Sequence, residues 1–328
     1  MVGLRGRAAA AGIVAGALLL GACGGGGDDE GGSAGEGTEE GTPGAETGSG
    51  EPSPVTAEQV RASAAALDAA TSYAFSIDMT FSGLSEVAGA AADTPDQANL
   101  VVNGGADVAG GRSTIEMDVT EVMAMSAAGT GTPVPEGEAT VRAVVDGEDA
   151  YVNYGELGSS FGVQPEQWVR MQVAQLGAGL GGATGGSPSP TSPANFTDLL
   201  RGVDADEDIT FEGEEDVRGT ATSHLVADVD VEQAIAAAPE ERRATLQQQF
   251  ADAGLTNIPL HLWLAEDGLP RRLELIAEPG DLAALNGAGL TIIVEPYDYN
   301  APVTVEVPDA ASVIDGGAAL GGTPPADG

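Results

Sequence analysis

Large apolar side chains alternate with small or polar ones most regularly in SYAFSIDMTFS, residues 72–82. One parity of this segment carries the large apolar side chains: Tyr73, Phe75, Ile77, Met79 and Phe81. Successive side chains of a strand point to opposite faces of a sheet. The pattern therefore predicts a strand with one face in a core and the other toward solvent.

Shorter versions of this pattern predict further strands along the chain. They cover Leu100–Val108, Ser113–Val122, Ala139–Val145, Ala150–Tyr154, Ile209–Val217, Thr222–Val231, Pro259–Ala265, Arg271–Ala277, Leu290–Tyr297 and Val303–Val307. Trp168–Val173 fits either a strand or the start of a short helix. Asp146-Gly147 and Asp267-Gly268 are turn signals, so neighbouring strands are expected to form hairpins.

Three segments have helical signals, of which Phe196–Gly202 reads as one or two helical turns. Thr56 and Gln59 have the spacing of a capping box, which predicts a helix start. Residues 232–253 form another helical stretch, interrupted by a proline, with Leu246 and Phe250 four residues apart on one face.

Hairpin-connected strands with helices confined to a few places predict an α+β fold. A large sheet with one apolar face curls, and that face must be covered. We therefore expect the sheet to curl into a barrel or half-barrel.

The single cysteine, Cys23, stands where an apolar N-terminal run ends. That run, residues 8–20, follows a short basic region and is too short for a permanent membrane helix. This anatomy predicts a signal peptide over residues 1–22. Leu20-Gly21-Ala22-Cys23 resembles the bacterial lipobox, whose cysteine receives a diacylglyceryl group and, after cleavage, holds the chain to the membrane by acyl chains such as palmitate. The alternative is an ordinary signal peptide with a chance cysteine.

Composition divides the rest of the chain. Residues 23–54 are predicted to be the lipidated cysteine and a disordered, Gly-rich acidic tether. This segment lacks the apolar side chains that a core needs. Residues 55–315 are long enough for one domain, within which residues 177–195 read as a Gly/Pro/Ser-rich surface loop. Residues 316–328 read as a disordered tail.

The charge excludes one class of partner. The chain has 51 acidic and 12 basic residues, a formal net charge of −39. Such a surface repels nucleic acids and anionic headgroups at long range, so nucleic-acid binding and a polybasic membrane patch are excluded. Every basic residue is Arg, which is typical of a high-GC actinobacterial genome.

Catalytic and metal-binding motifs are unconvincing. G-x-S-x-G at residues 31–35 lies in the tether, away from any strand–turn–helix unit. G-x-G-x-x-G at residues 177–182 lacks a surrounding βαβ unit. The two histidines, His224 and His261, do not form a zinc motif, so each is expected to be an ordinary strand residue. We expect no catalytic residue, no metal and no cofactor.

One acidic run partly fits a calcium loop. Asp204, Asp206, Asp208 and Glu215 match positions 1, 3, 5 and 12, but Ile209 occupies the position where the loop needs Gly. We expect a solvated acidic turn, with calcium as the alternative.

Several segments together support a resemblance. They are the lipobox, the Ala-rich helix before SYAFSIDMTFS, and the segments FEGEEDVRGTATSHLVADVDVEQ, HLWLAEDGLPRRLEL and YDYNAPVTVEVP. With these features, most of residues 55–315 resembles the actinobacterial LppX/LprG-like lipoproteins, which are similar in fold to the LolA and LolB carriers. The resemblance implies a strongly curved antiparallel half-barrel sheet with helices covering its concave face, and the space between sheet and helices would hold acyl chains.

The function expected is a lipoprotein anchored at the outer face of the cytoplasmic membrane, in the cell envelope, that binds or transfers lipid or glycolipid and is not an enzyme. Candidate cavity residues are Tyr73, Phe75, Ile77, Met79, Phe81, Ile115, Met117, Val119, Leu246 and Phe250. The alternative is a surface-tethered interaction or sensory module with a filled core; an envelope enzyme is the third and weakest reading.

Overall fold

A single open sheet of twelve strands dominates the fold. The structure is a computed structural model that describes residues 55–87, 94–124, 139–173, 193–203, 209–281, 285 and 287–316. The predicted signal peptide, Cys23, the tether, most of the predicted loop and the tail beyond Gly316 lie outside the described residues.

The strands lie in the order β12-β6-β5-β4-β3-β2-β1-β11-β10-β9-β8-β7. Their bounds are β1 Ser72–Ser82, β2 Ala98–Asp107, β3 Arg112–Asp118, β4 Thr140–Asp146, β5 Asp149–Asn153, β6 Trp168–Gln172, β7 Ile209–Val217, β8 Thr220–Asp230, β9 Asn257–Ala265, β10 Pro270–Ala277, β11 Gly289–Tyr297 and β12 Val313–Asp315. All neighbours are antiparallel except β12 and β6. The predicted α+β fold with a large, mostly antiparallel sheet is confirmed.

Four α-helices of seven or more residues lie in the described ranges: α1 Ala57–Asp68, α2 Pro193–Arg201, α3 Val231–Ala237 and α4 Glu240–Ala253. The predicted capping box starts α1, because the Gln59 amide donates to Thr56 Oγ1 and the Thr56 amide donates to Gln59 Oε1. The predicted break at Pro239 separates α3 from α4. Helix α2 begins at Pro193, three residues inside the segment predicted as loop.

The sheet has one apolar and one largely polar face. Apolar side chains from β1 to β5 and β8 to β11 form one buried cluster, which also includes apolar side chains of all four helices. The opposite, outer face carries a row of mostly polar side chains on neighbouring strands. Each member lies opposite the next in strand register or is hydrogen-bonded to it: His224, Trp263, Arg272, Glu295, Ser76, Asn103, Glu116 and Arg142. A strand slipped by one residue would exchange these two faces, so the alternation fixes the register.

Gly104 on β2 makes room for Phe75. A Cβ atom at position 104 would lie 2.5 Å from Phe75 Cζ and 2.6 Å from the Thr114 carbonyl oxygen. The Phe75 ring therefore lies over the backbone of the neighbouring strand at the point where that strand has no side chain.

The strand predicted at Val303–Val307 is wrong. Residues 302–309 have no strand partner, and Val303 instead packs against Gly105, where an added Cβ would lie 2.9 Å from Val303 Cγ1. Both sides of β1 are already paired, with β2 and β11, so the chain crosses the outer face and reaches the far edge as β12. Val303 contacts the sheet face, whereas Val307 is 40% exposed, so the alternation of valines there does not report strand pairing.

The strand predicted at Ser113–Val122 is also too long. β3 ends at Asp118, whose Oδ1 accepts a hydrogen bond of 3.0 Å from the Thr120 amide, and residues 120–124 are helical. Val119 is buried but is not a strand residue. A short polar side chain that binds the backbone two residues on competes with the strand ladder.

Candidate functional site

The candidate cavity residues meet in the buried cluster between sheet and helices. All of them except Tyr73 are no more than 9% exposed, and Tyr73 is partly buried against the cluster. Phe75, Ile77, Met79 and Phe81 share the apolar face of β1, as their parity predicts. The register of β1, β2 and β3 places Ile115 and Met117 on the same face, two strands away.

Helix α4 contributes few apolar side chains to this cluster. Among the α4 side chains that the structure describes, Leu246 and Phe250 are buried, at 1% and 2% exposure. Residues such as Arg243 and Gln247 face solvent. No side-chain hydrogen bond caps the first turn of α4. The four-residue spacing therefore places Leu246 and Phe250 in the interior. Among the described side chains of α4, these two attach the helix to the buried cluster.

The two histidines come together on the outer face. His224 on β8 and His261 on β9 lie 3.1 Å apart, from Nε2 to Nδ1. The Nδ1 atom of His224 lies 3.2 Å from Glu215 Oε1. With one proton per ring, His224 Nδ1–H donates to Glu215, and His261 Nδ1–H donates to His224 Nε2.

The indole of Trp263 closes this cluster. Its ring stacks on His224 with centroids 4.1 Å apart and planes at 6°, and its Nε1–H donates to Glu215 Oε2 at 2.9 Å. The hydrogen bond from Trp263, together with His224, holds the pKa of Glu215 below its usual value against a smaller opposing effect of desolvation. Since the His224 side chain is 14% exposed, the cluster packs the outer face and leaves little room for a substrate at that ring.

Two arginines share one carboxylate beside this cluster. Arg272 Nη2 lies 2.6 Å from Glu295 Oε1, and Arg218 Nε lies 2.7 Å from Glu295 Oε2. Burial would raise the pKa of Glu295, but the hydrogen bonds and charges of the two guanidinium groups outweigh it and hold the pKa below its usual value. The guanidinium of Arg272 also lies over the Trp263 ring, 5.2 Å from its centroid.

The calcium alternative has little support among the described residues. Asp204, Asp206 and Asp208 lie outside them, and Glu215 is a β7 residue bonded to Trp263. Within the described ranges, no group of three or more His, Cys, Asp or Glu side chains is arranged to hold a metal ion.

Sequence reasoning could not find the Glu215–His224–Trp263 cluster, because its members are separated along the chain and adjacent only through the register of β7, β8 and β9. It also missed a polar pocket at one end of the sheet, which is formed by turns.

Comparison with known proteins gives distant relatives. No protein-family model matches the chain. An uncharacterised 31.2 kDa protein of Streptomyces griseus is 25% identical over 198 residues, which span 57% of this chain and 62% of that protein's length. LprF from Mycobacterium bovis is a similar solved structure, with 14% identity and a TM-score of 0.41 over 79% of this chain and 99% of that one. The Mycobacterium tuberculosis lipoprotein LppX has 14% identity and a TM-score of 0.37 over 76% and 97%. One of these two similar structures is thus LppX, a member of the group that the sequence resembles.

Proposed function

We propose that the protein is a lipid-anchored lipoprotein of the cell envelope that binds the acyl chains of a lipid or glycolipid between its sheet and its helices. The observation that carries this proposal is the extent of the apolar face, which runs through nine of the twelve strands into a single cluster with four short helices. An acyl chain needs a long, continuous apolar surface, and this face supplies one.

Helix α4 is the part of the cover that opens in this proposal. Leu246 and Phe250 hold it to the interior, while its other described side chains face solvent or lie at the surface. Helical stability in proteins comes mainly from packing of the apolar face, so a helix held by few apolar side chains is displaced at low cost. Displacement of α4 would expose the sheet face to a lipid. After α4 returns, the helices would cover the bound lipid on the concave side of a curved sheet.

The anchor comes from the N-terminus. In this proposal residues 1–22 are removed, Cys23 carries the acyl chains, and residues 23–54 hold the domain of residues 55–315 away from the outer face of the cytoplasmic membrane. Anchoring by acyl chains contributes ~0.8 kcal/mol per buried CH₂ group. Within the described ranges, no helix is long and apolar enough to cross a bilayer.

The second candidate is an interaction or sensory module with a filled core. The low exposure of the cavity candidates favours it, because side chains in contact with one another leave no room for a ligand. The two candidates differ in one respect that can be measured, which is whether an acyl chain enters the cluster.

The test is binding of a polyene fatty acid whose fluorescence rises in apolar surroundings. Wild type is expected to bind it saturably. Phe75→Glu is expected to lose that binding, because an unpaired carboxylate against acyl chains costs far more than a neutral polar group, for which the cost is already roughly 2–7 kcal/mol. Thr80→Glu places the same charge on the outer face of the same strand and should retain binding. Ser76 is a poorer control position, since it lies directly opposite Glu295.

Two results would count against the carrier. One is wild type that never binds the probe; the other is Phe75→Glu that stays folded by circular dichroism and binds as wild type does. The first result selects the filled-core module.

A further inference from the structure

A pocket of about 550 Å³ lies where two hairpin turns meet the chain after β11. Its lining residues are Val217, Arg218, Thr220, Asp267, Leu269, Arg271, Tyr297, Asp298, Tyr299 and Asn300. None of these residues belongs to the buried cluster between sheet and helices. The pocket is therefore distinct from the proposed acyl-chain site, and a ligand there does not depend on the function proposed above.

Arg271 presents an unused donor at this pocket. Its Nη2 donates to Asp267 Oδ2 at 2.6 Å, and its guanidinium lies over the Tyr299 ring, 5.2 Å from the centroid. Its Nη1 is buried and has no hydrogen-bond partner, in a side chain that is 16% exposed. A buried donor without an acceptor is unfavourable, so the guanidinium is not fully satisfied by its partners within the fold.

The Tyr299 ring holds Arg271 in place. The Tyr299 hydroxyl donates to the Pro270 carbonyl oxygen at 2.6 Å, which fixes the ring against the strand that carries Arg271. Burial raises the pKa of Tyr299, so the hydroxyl keeps its proton over the physiological range. The guanidinium is thus positioned before any ligand arrives.

Arg218 brings a second guanidinium to the pocket, from a residue whose backbone is in the left-handed region. It has φ 52°, in the left-handed region, and its guanidinium lies 4.2 Å from the Tyr297 ring centroid. Among the described residues, the non-glycine residues with positive φ are Arg218, Asp298 and Asn300, and all of them line this pocket. Arg218 and Gly219 both have positive φ, as a two-residue type I′ hairpin turn between β7 and β8 requires, so turn geometry sets the shape of this pocket.

The charges at this end of the sheet differ from those of the chain as a whole. Three of the 12 basic residues, Arg218, Arg271 and Arg272, lie in or beside the pocket of a chain that carries 51 acidic residues. Arg218 and Arg272 share the single carboxylate of Glu295. An anionic group therefore meets less repulsion here than over most of the surface.

The size and lining of the pocket indicate the rest of the ligand. Its volume is larger than a bare inorganic ion requires and falls in the usual range for small organic ligands. Thr220, Asp298 and Asn300 bring hydroxyl, carboxylate and amide groups, which suit the hydroxyls of a polyol. We propose that the pocket binds a small sugar or polyol that carries a phosphate or carboxylate, with the guanidinium of Arg271, beside that of Arg218, facing the anionic group.

The test is isothermal titration of the full mature chain with glucose 6-phosphate and with glucuronate, against glucose as the matched neutral probe. At least one charged probe is expected to bind at least about tenfold more tightly than glucose, and added salt should weaken it. Arg271→Gln should abolish this preference. Asp267→Asn should tighten binding, because it releases Arg271 from its internal partner. The matched control is Arg170→Gln, which breaks a comparable Arg–Asp pair with Asp149 on β6 and β5 and should change nothing.

A second arm distinguishes a soluble ligand from a lipid headgroup. Flotation of the unlipidated Cys23→Ser chain with phosphatidylcholine vesicles, with and without phosphatidylglycerol, measures Arg271-dependent binding to a polyol phosphate in a membrane without the contribution of the acyl anchor. Binding to the vesicles alone assigns the anion to a headgroup, whereas binding to the soluble probes assigns it to a free ligand.

The proposal is overturned if glucose binds as well as the charged probes, if Asp267→Asn weakens binding, or if neither charged probes nor vesicles bind. Fatty-acid binding should be unaffected by Arg271→Gln, so failure here is separable from failure of the carrier function.

Discussion

Replacing Gly104 by Ala tests the packing of Phe75 on the sheet. The new Cβ would lie 2.5 Å from Phe75 Cζ and 2.6 Å from the Thr114 carbonyl oxygen, whereas ordinary contacts are 3.4–4 Å. The ring and the β3 backbone must therefore each retreat by roughly 1 Å from their present positions. Overpacking of this kind costs about 1–3 kcal/mol. A domain of this size loses roughly 2–4 °C in Tm per kcal/mol, so the expected decrease is about 2–12 °C.

The assay is thermal unfolding followed by circular dichroism. Gly105→Ala is the matched control, because its Cβ would meet the side chain of Val303 at 2.9 Å, on a segment without strand pairing that can shift. Its expected cost is below about 1 kcal/mol. Combining Gly104→Ala with Phe75→Leu should recover part of the loss, since the two changes share a contact. Equal losses at positions 104 and 105, or no loss at position 104, would refute the packing described here.

Three further predictions concern the anchor, the tether and one buried carboxylate. Cys23→Ser should abolish incorporation of labelled fatty acid and release the protein from membranes; unchanged labelling would contradict the lipobox assignment. Residues 24–54 should exchange amide hydrogens fastest in hydrogen–deuterium exchange, and strong protection there would move the predicted domain boundary. The pKa of Glu295 is depressed in the folded chain, so its stabilising contribution is present above the unfolded pKa and lost as pH falls through the folded pKa. Urea unfolding should therefore show wild type more stable than Glu295→Gln at neutral pH and the two converging in acid; a gap that persists in acid would contradict this.

The alternation of residues predicts most strands because each has one face in the core. The period-2 pattern of Tyr73–Phe81 reports burial directly, and the structure buries the parity expected from Phe75 to Phe81. The same pattern at Val303–Val307 predicts a strand wrongly. Alternation of side chains carries no information about whether a neighbouring strand is free to form hydrogen bonds. The β12–β6 pair was not predicted because it joins segments far apart in sequence.

The sites depend on register and turn geometry, which composition does not reveal. His224 and Trp263 stack because β8 and β9 pair in one register, and a single histidine in each strand gives no sign of it. The pocket depends on the left-handed conformation of Arg218, for which the following Gly219 is the only local signal. The burial of Leu246 and Phe250, by contrast, follows from helical spacing alone.

Native mass spectrometry of the protein purified from its own membrane tests the central claim most directly. The carrier function predicts folded ions that retain one or more lipid molecules beyond the covalent anchor, and release of those lipids when the chain unfolds. Phe75→Glu should give folded ions without this additional mass. Wild-type ions that carry the anchor and nothing else, across preparations in which the domain is folded, would contradict the claim and favour a module with a filled core.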